Sequence, residues 1–164
     1  MAELPSKYDP LDLKMTDWMA RNGVRLLRYS LGVVFLWFGV LKFFPGLSPA
    51  QSLAGDTIAR LSFDLLSPAA AVFLLAVWES LIGIGLLTGY RLRGTLFLLW
   101  LQMLGTITPL FLFPELCFTV VPFAPTLEGQ YIIKNLVLIA AGIVIGATVR
   151  GGRLTARPPS DPAA

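Results

Sequence analysis

Four long apolar segments, separated by shorter polar ones, dominate this chain of 164 residues. Each is about 20 residues long, the length that a helix rising ~1.5 Å per residue needs to cross ~30 Å of hydrocarbon. None shows the alternation of apolar and polar positions typical of a membrane β-barrel. We therefore predict an all-α membrane protein, a four-transmembrane-helix bundle with spans at residues 24–44, 69–90, 94–113 and 131–149.

The polar segments at the inner side of the predicted bundle include both ends of the chain. Residues 1–23 form a leader in which Asp9 and Pro10 suit the start of a helix, so we predict a short amphipathic helix on the membrane surface. Residues 150–164 are rich in proline, alanine and glycine, and we expect this tail to be disordered unless a partner holds it.

Two loops lie at the other side, which we call the outer side. In the loop of residues 45–68, the sequence Ser48-Pro49-Ala50-Gln51 matches a capping box and predicts a second amphipathic helix. The loop of residues 114–130 combines three prolines with apolar residues such as Phe118 and Phe123. We expect it to lie over the outer mouth of the bundle as a lid.

Composition and charge add a location and an orientation. Hydrophobic residues make up 55% of the chain and charged residues 14%, against about a quarter charged in soluble domains. Ten of the 13 basic residues lie on the inner side, namely Lys7, Lys14, Arg21, Arg25, Arg28, Arg91, Arg93, Arg150, Arg153 and Arg157. The positive-inside rule then predicts a multi-pass membrane protein with both termini in the cytoplasm. The pI of about 9.3 reflects this topology rather than a nucleic-acid surface.

The residue types that are missing narrow the possible chemistry. The chain has no histidine, so it lacks the usual haem ligand, the commonest zinc and copper ligand and the usual proton shuttle. Cys117 is the only cysteine, which excludes a redox-active cysteine pair within one chain. We expect no metal site and no intrinsic cofactor, and the chain is poorly equipped to be an enzyme by itself.

The candidate for chemistry is Glu79, an acid in the middle of the second span. A charged residue at the centre of a bilayer costs about 3 kcal/mol or more, so it needs a partner or a function. Counted at ~1.5 Å per residue, Gln102 of the third span lies at nearly the same depth. We predict a hydrogen bond between Glu79 and Gln102, and a tentative role for Glu79 as proton donor or acceptor. Helix packing alone explains the residue about equally well.

Other polar and aromatic residues form the rest of a tentative ligand-binding set around Glu79: Gln102, Thr106, Asn135, Lys134, Lys42 and Trp78. The aromatic residues Trp37 and Phe38 are expected to help enclose it. For Lys42 we favour an interaction with the outer headgroups, because the helical rise places it ~10 Å shallower than Glu79. Lys42 and Lys134, with Glu115 and Glu128, are expected to build a polar vestibule beneath the lid.

Three segments carry a resemblance to a known family: RYSLGVVFLWFGVLKFFPG at residues 28–46, WESLIGIGLLTG at 78–89 and EGQYIIKNLVLIAAG at 128–142. In this order they resemble the DoxX-like family of small four-span membrane proteins, with some similarity to the YkgB-like family in the last segment. The resemblance implies a four-helix bundle in the bacterial inner membrane. Named members include membrane subunits of a thiosulfate:quinone oxidoreductase, and others are linked to redox-stress systems.

Three functional hypotheses are compatible with these features. The first is a membrane subunit or accessory component of a quinone-linked redox system, with a polar intramembrane pocket for a quinone or a similar lipid-soluble molecule. The second is a purely structural or assembly subunit of a larger membrane complex, which docks through its amphipathic helices, its tail and the Gly142/Gly146 face. The third is a small proton-coupled transporter.

Overall fold

The computed structural model describes residues 9–48 and 51–156. Within these residues four helices are long and apolar enough to cross a membrane, which confirms the predicted all-α membrane bundle. The elements, in chain order, are α1 (Asp9–Leu41), α2 (Gln51–Leu61), α3 (Pro68–Thr88), α4 (Leu92–Ile107), α5 (Pro109–Leu112), α6 (Pro114–Cys117), β1 (Phe118–Val120), β2 (Ala124–Pro125) and α7 (Leu127–Ala147).

The first helix differs from the prediction. From Asp9 onward the described part of the leader and the first span form one continuous helix of 33 residues, so the expectation of a separate surface helix is wrong. No proline follows Pro10 in this stretch, and the charged residues of the leader are themselves compatible with a helix. At ~1.5 Å per residue α1 is about 50 Å long, so its N-terminal part extends beyond the hydrocarbon.

The outer amphipathic helix is present as α2, although Pro49 and Ala50 of its predicted capping box lie outside the described residues. Its buried side includes Gly55, where an added Cβ would lie 3.2–3.3 Å from atoms of Pro68 and Val72 of α3. Ser67 caps α3, since its hydroxyl accepts a hydrogen bond from the backbone N–H of Ala70 at 3.3 Å. The end of the loop and the start of the second span are therefore fixed together.

The predicted lid consists of α6 and a small antiparallel hairpin, β1 and β2. Its base packs on the bundle, because Cys117 is fully buried in a cluster with Leu53 of α2 and Ile132 of α7. The tip does not: Phe123 is 85% exposed and Val121 58%. The lid therefore covers the bundle with its base only, and its apolar tip projects away.

The inner half of the bundle is a continuous apolar core. It contains Leu31 and Phe35 of α1, Ile82 and Leu86 of α3, Leu96, Leu99 and Met103 of α4, and Ala141 and Ile145 of α7. After α7 the chain has no helix or strand over residues 152–156, and residues 157–164 of the predicted tail lie outside the described residues. The polar side chains inside the bundle belong mainly to its outer half.

Candidate intramembrane site

Glu79 and Gln102 meet as predicted. Gln102 Nε2 donates a hydrogen bond to Glu79 Oε1 at 2.7 Å, and each of the two residues is only 8% exposed. The bond crosses from α3 to α4, which are joined by the short turn around Arg91 and therefore run side by side in opposite directions. Because the turn is tight, counting residues from it gives nearly correct relative depths.

Lys42 also belongs to this cluster, which corrects the expectation that it reaches the outer headgroups. Its Nζ lies 2.6 Å from Glu79 Oε2, and both side chains are 11% exposed. The cause is the close packing of α1 on α3, in which Gly39 lies directly against Glu79 and Ser80. Lys42 follows Gly39 by less than one turn, and helical side chains incline toward the N-terminus, so the amine turns inward instead of outward.

The three side chains form a hydrogen-bonded chain from α1 through α3 to α4. Each oxygen of Glu79 accepts from a different donor, Oε2 from Lys42 and Oε1 from Gln102. This arrangement suits an ionised carboxylate beside an ammonium, and the pair together carries no net charge. Removing either partner of this buried Lys42–Glu79 ion pair should cost stability, because the remaining charge would be buried without a counter-charge.

A second polar contact lies between α4 and α7. Asn135 Nδ2 donates to Thr106 Oγ1 at 3.3 Å, and the Thr106 hydroxyl donates to the carbonyl oxygen of Met103 at 3.0 Å. Near the helix break at Pro109, the carbonyl oxygen of Gly105 accepts hydrogen bonds from both the backbone N–H and the hydroxyl of Thr108. Thr106 and Asn135 therefore present side chains, not free backbone, to the interior.

These polar contacts line one cavity of about 620 Å³ in the outer half of the bundle. All seven residues of the predicted set contribute to its wall: Lys42, Trp78, Glu79, Gln102, Thr106, Lys134 and Asn135. Most of the remaining wall is apolar, including Phe35 and Phe38 of α1, Leu74 and Leu75 of α3 and Leu138 of α7. The residues that the sequence pattern singled out therefore all line one cavity.

Not every member of the predicted set joins the polar cluster. Trp78 donates its indole N–H to the carbonyl oxygen of Leu98 at 3.2 Å, so this N–H is not directed at Glu79. The ring of Trp78 contributes to the wall of the cavity. Lys134 is exposed and lies over the ring of Tyr131, at 5.8 Å from the ring centre. Of the four residues of the expected vestibule, Lys42, Lys134 and Glu128 line this cavity and Glu115 does not. Trp37 is 65% exposed and faces away from the cavity.

The contribution of α2 to the cavity was not predicted. This helix places Leu53, Ala54, Thr57, Ile58 and Leu61 over the space, and so closes part of its outer side. The sequence shows the apolar side of α2 and predicts an amphipathic helix, but it does not show which neighbour this side contacts. Nothing in its periodicity distinguishes a face that contacts lipid from one that covers a cavity.

Two buried polar atoms, Gln102 Oε1 and Ser80 Oγ, have no hydrogen-bond partner among the residues that the structure describes.

Over the same residues, no group of three or more histidine, cysteine, aspartate or glutamate side chains could hold a metal ion. The cavity can therefore offer hydrogen bonds and an ion pair within apolar walls.

Comparison with known proteins gives one family. The model of the DoxX family matches residues 23–115, more than half of the chain. The matched part contains Lys42, Glu79, Gln102 and Thr106, whereas Lys134 and Asn135 lie beyond its end. Neither a search of curated proteins nor a search of solved structures gave a match.

Proposed function

The chain belongs to the DoxX family, and from this premise we propose that it is a membrane subunit or accessory component of a quinone-linked redox system. In this proposal its cavity binds a quinone or a similar lipid-soluble molecule. We further propose that it resides in the bacterial inner membrane with both termini in the cytoplasm, in accordance with its basic residues.

The observation that carries the proposal is the combination of a polar cluster with apolar walls in a single cavity. Its volume of about 620 Å³ falls within the ~300–1,000 Å³ of typical small-molecule sites. Such sites are mostly apolar and contain a few polar groups that orient the ligand. The Lys42–Glu79–Gln102 cluster and the Thr106–Asn135 pair are polar groups of this kind.

The residues have distinct proposed roles. Lys42 and Gln102 hold the carboxylate of Glu79 in place, and Glu79 exchanges a proton with the bound molecule or accepts a hydrogen bond from it. Phe38 and Trp78 supply aromatic wall for a ring. A bound quinone supplies the two-electron chemistry, and the protein that delivers or removes the electrons is a partner subunit.

Two matched pairs of variants test this proposal. Glu79→Gln and Gln102→Leu alter the cluster, while Glu115→Gln and Gln130→Leu make the same chemical changes at exposed positions that do not line the cavity. We expect the cluster variants to lose quinone-dependent activity in membranes and to retain less quinone through purification. The control variants should behave as the wild type. Unchanged activity and quinone recovery in both cluster variants would refute the proposed site.

The structural hypothesis keeps one specific observation in its favour. The N-terminal part of α1 exposes Leu11, Met15, Trp18 and Met19, a surface that a partner subunit could cover. The Gly142/Gly146 face is already used within the chain, since both glycines lie against Trp100 of α4. Purification separates the alternatives: a stable, ligand-bearing chain supports the cavity, and a chain recovered only in a stoichiometric complex supports the structural role.

A further inference from the structure

We infer that the cavity discriminates between head groups by their hydrogen-bond donors, an inference that rests on the proposed function. It takes a hydroxyl-bearing head group, such as the reduced dihydroxy form of a quinone, in preference to the same skeleton with carbonyl oxygens alone. The inference follows from the hydrogen-bond inventory of the Lys42–Glu79–Gln102 cluster.

The carboxylate of Glu79 determines which end of the Gln102 side-chain amide faces it. Nε2 points to Glu79 Oε1 at 2.7 Å, and the reversed amide would place two oxygens against each other. Gln102 Oε1 must therefore point the other way, where it has no partner within the described chain. A buried carbonyl without a donor costs about 1–3 kcal/mol, so a ligand that supplies a donor removes this cost.

Each oxygen of Glu79 already has one donor, whereas Gln102 Oε1 has none among the described residues, so Gln102 supplies the buried acceptor of the cluster that lacks any hydrogen bond. Lys42 offers the complementary group. Its ammonium carries three N–H donors, of which one points to Glu79 at 2.6 Å and a longer contact of 3.4 Å reaches the carbonyl of Phe38. A hydroxyl group can donate to Gln102 and accept from Lys42, whereas a quinone carbonyl can only accept.

The charge of the site adds a second restriction. The ammonium of Lys42 and the carboxylate of Glu79 neutralise each other at 2.6 Å, and most of the other wall is apolar. Beside this ion pair a charged head group would lose its hydration without gaining an unpaired counter-charge, whereas Lys134 also lines the cavity but is exposed. The ion pair itself therefore favours an uncharged alcohol or phenol over an anionic headgroup.

Gln102 Oε1 is covered in the structure, and a ligand reaches it through a rotation of the amide plane. The last torsion of glutamine joins an sp³ to an sp² carbon and has broad, shallow minima, so such a rotation costs little. The hydrogen bond between Nε2 and Glu79 Oε1 tolerates part of this rotation. We expect the ligand to adjust Gln102 while the ion pair stays in place.

A matched ligand pair tests the inference without redox chemistry. 4-Decylphenol and its methyl ether have the same ring and tail, but only the phenol has a donor. For the purified full chain in detergent, titration calorimetry should show that the phenol binds about tenfold more tightly than the ether. The phenol removes the ~1–3 kcal/mol cost of the unpaired Gln102 carbonyl, and each ~1.4 kcal/mol corresponds to a factor of ten in affinity. The same order is expected for a short-chain quinol over its quinone under anaerobic conditions.

The variant Gln102→Leu should bind the phenol more weakly and so reduce the ratio of the phenol and ether affinities to about one. The control variant Gln130→Leu should keep the wild-type ratio. Equal affinities in the wild type, or tighter binding of the ether, would overturn the inference even if no variant folds. That result would leave the proposed function intact, because both compounds would still bind. Failure of phenol, ether, quinol and quinone alike to bind would instead refute the cavity as a ligand site.

Discussion

At the scale of single residues, the position of Lys42 decides how Glu79 can exist inside the bundle. Without Lys42 and Gln102, the carboxylate of Glu79 would have no partner to replace its hydration, because the residue is only 8% exposed. With Lys42 at 2.6 Å and Gln102 at 2.7 Å, the acid becomes part of a neutral, hydrogen-bonded unit. The two residues of the ion pair therefore depend on each other more than either depends on the remaining cavity wall.

A double-mutant cycle measures this dependence. Lys42→Met should destabilise the fold by about 3–5 kcal/mol, because it leaves the carboxylate of Glu79 buried without its counter-charge. Lys42→Met combined with Glu79→Leu should recover most of this loss, since neither charge then remains. Reversible denaturation of the detergent-purified protein gives the free energies of unfolding.

The corresponding single variant Glu79→Leu completes the cycle, and the coupling energy is the measured quantity. Lys134→Met serves as a control, because Lys134 is exposed and contacts only the ring of Tyr131 among the interactions described above. If the effects of Lys42→Met and Glu79→Leu simply add, the ion pair does not contribute in solution.

Cys117 gives a second prediction at this scale. Burial raises the pKa of its thiol, and the negative charges of Glu128 and Glu115 add to the effect. The thiolate is the reactive form, so the protonated fraction stays high until the pH passes the raised pKa. N-ethylmaleimide should therefore label the folded protein slowly at pH 7 and faster as the pH rises. Mass spectrometry of folded and SDS-unfolded samples gives the two rates.

The variant Phe123→Cys in a Cys117→Ser background provides the exposed comparison, because Phe123 lies at the hairpin tip and is 85% exposed. It should react rapidly in the folded state. Equal labelling of folded and unfolded wild type at pH 7 would show that Cys117 is accessible.

The sequence was sufficient for one of the two contacts of Glu79. Glu79 and Gln102 lie on helices joined by a tight turn, so residue counting preserved their relative depth. Lys42 lies on α1, which a long loop separates from α3, and the vertical offset of such helices depends on side-chain packing. That offset follows from Gly39 and Gly83, whose role in closing the distance is visible only once the helices are paired.

At the scale of elements, the contact of α1 with α3 positions the site. Gly83 of α3 lies so close to α1 that an added Cβ would be 2.5 Å from the backbone nitrogen of Leu36. Gly39 approaches α3 similarly from the other side. Small residues on both helices let the backbones come near each other, as is usual where helices associate within membranes.

Gly83→Ala should therefore destabilise the protein by about 1–3 kcal/mol, because the methyl group must push α1 and α3 apart. Gly23→Ala is the matched control: Gly23 lies inside α1, and no atom of the described residues outside its own helix backbone lies within 4 Å of an added Cβ, so alanine should stabilise the protein by roughly 0.5–1 kcal/mol. Thermal unfolding in detergent reports both. A tolerated Gly83→Ala would mean that the helices are not so closely packed.

The apolar pattern predicted the existence of every spanning helix but not the continuity of α1 or the position of α2. Helix boundaries depend on breakers, and between Pro10 and Leu41 there is no second proline to end the helix. The place of α2 depends on the packing of its Gly55 beside Pro68 and Val72 of α3 and of its Leu53 beside Cys117 and Ile132, which is a tertiary effect. Local periodicity contains no information about which neighbour covers an apolar face.

At the scale of the whole molecule, the bundle divides into a filled inner half and a hollow outer half. The inner core holds large aliphatic residues such as Leu86, Leu99 and Ile145, each fully buried. The outer half instead has a cavity of about 620 Å³ lined by residues of α1, α2, α3, α4 and α7. The packed apolar core therefore belongs to the inner half, and the space to which we assign the proposed ligand belongs to the outer half.

Orientation in the membrane is the last prediction at this scale. In the Cys117→Ser background, Phe123→Cys should react with a membrane-impermeant maleimide in intact bacterial cells, because the hairpin lies on the side with few basic residues. Leu154→Cys, 52% exposed near the other end, should react only after the inner membrane is permeabilised. Both positions are accessible in the structure, so a difference in labelling reports the side of the membrane and not burial. The reverse pattern would place the cavity at the cytoplasmic side, where its ligand would meet cytoplasmic partners.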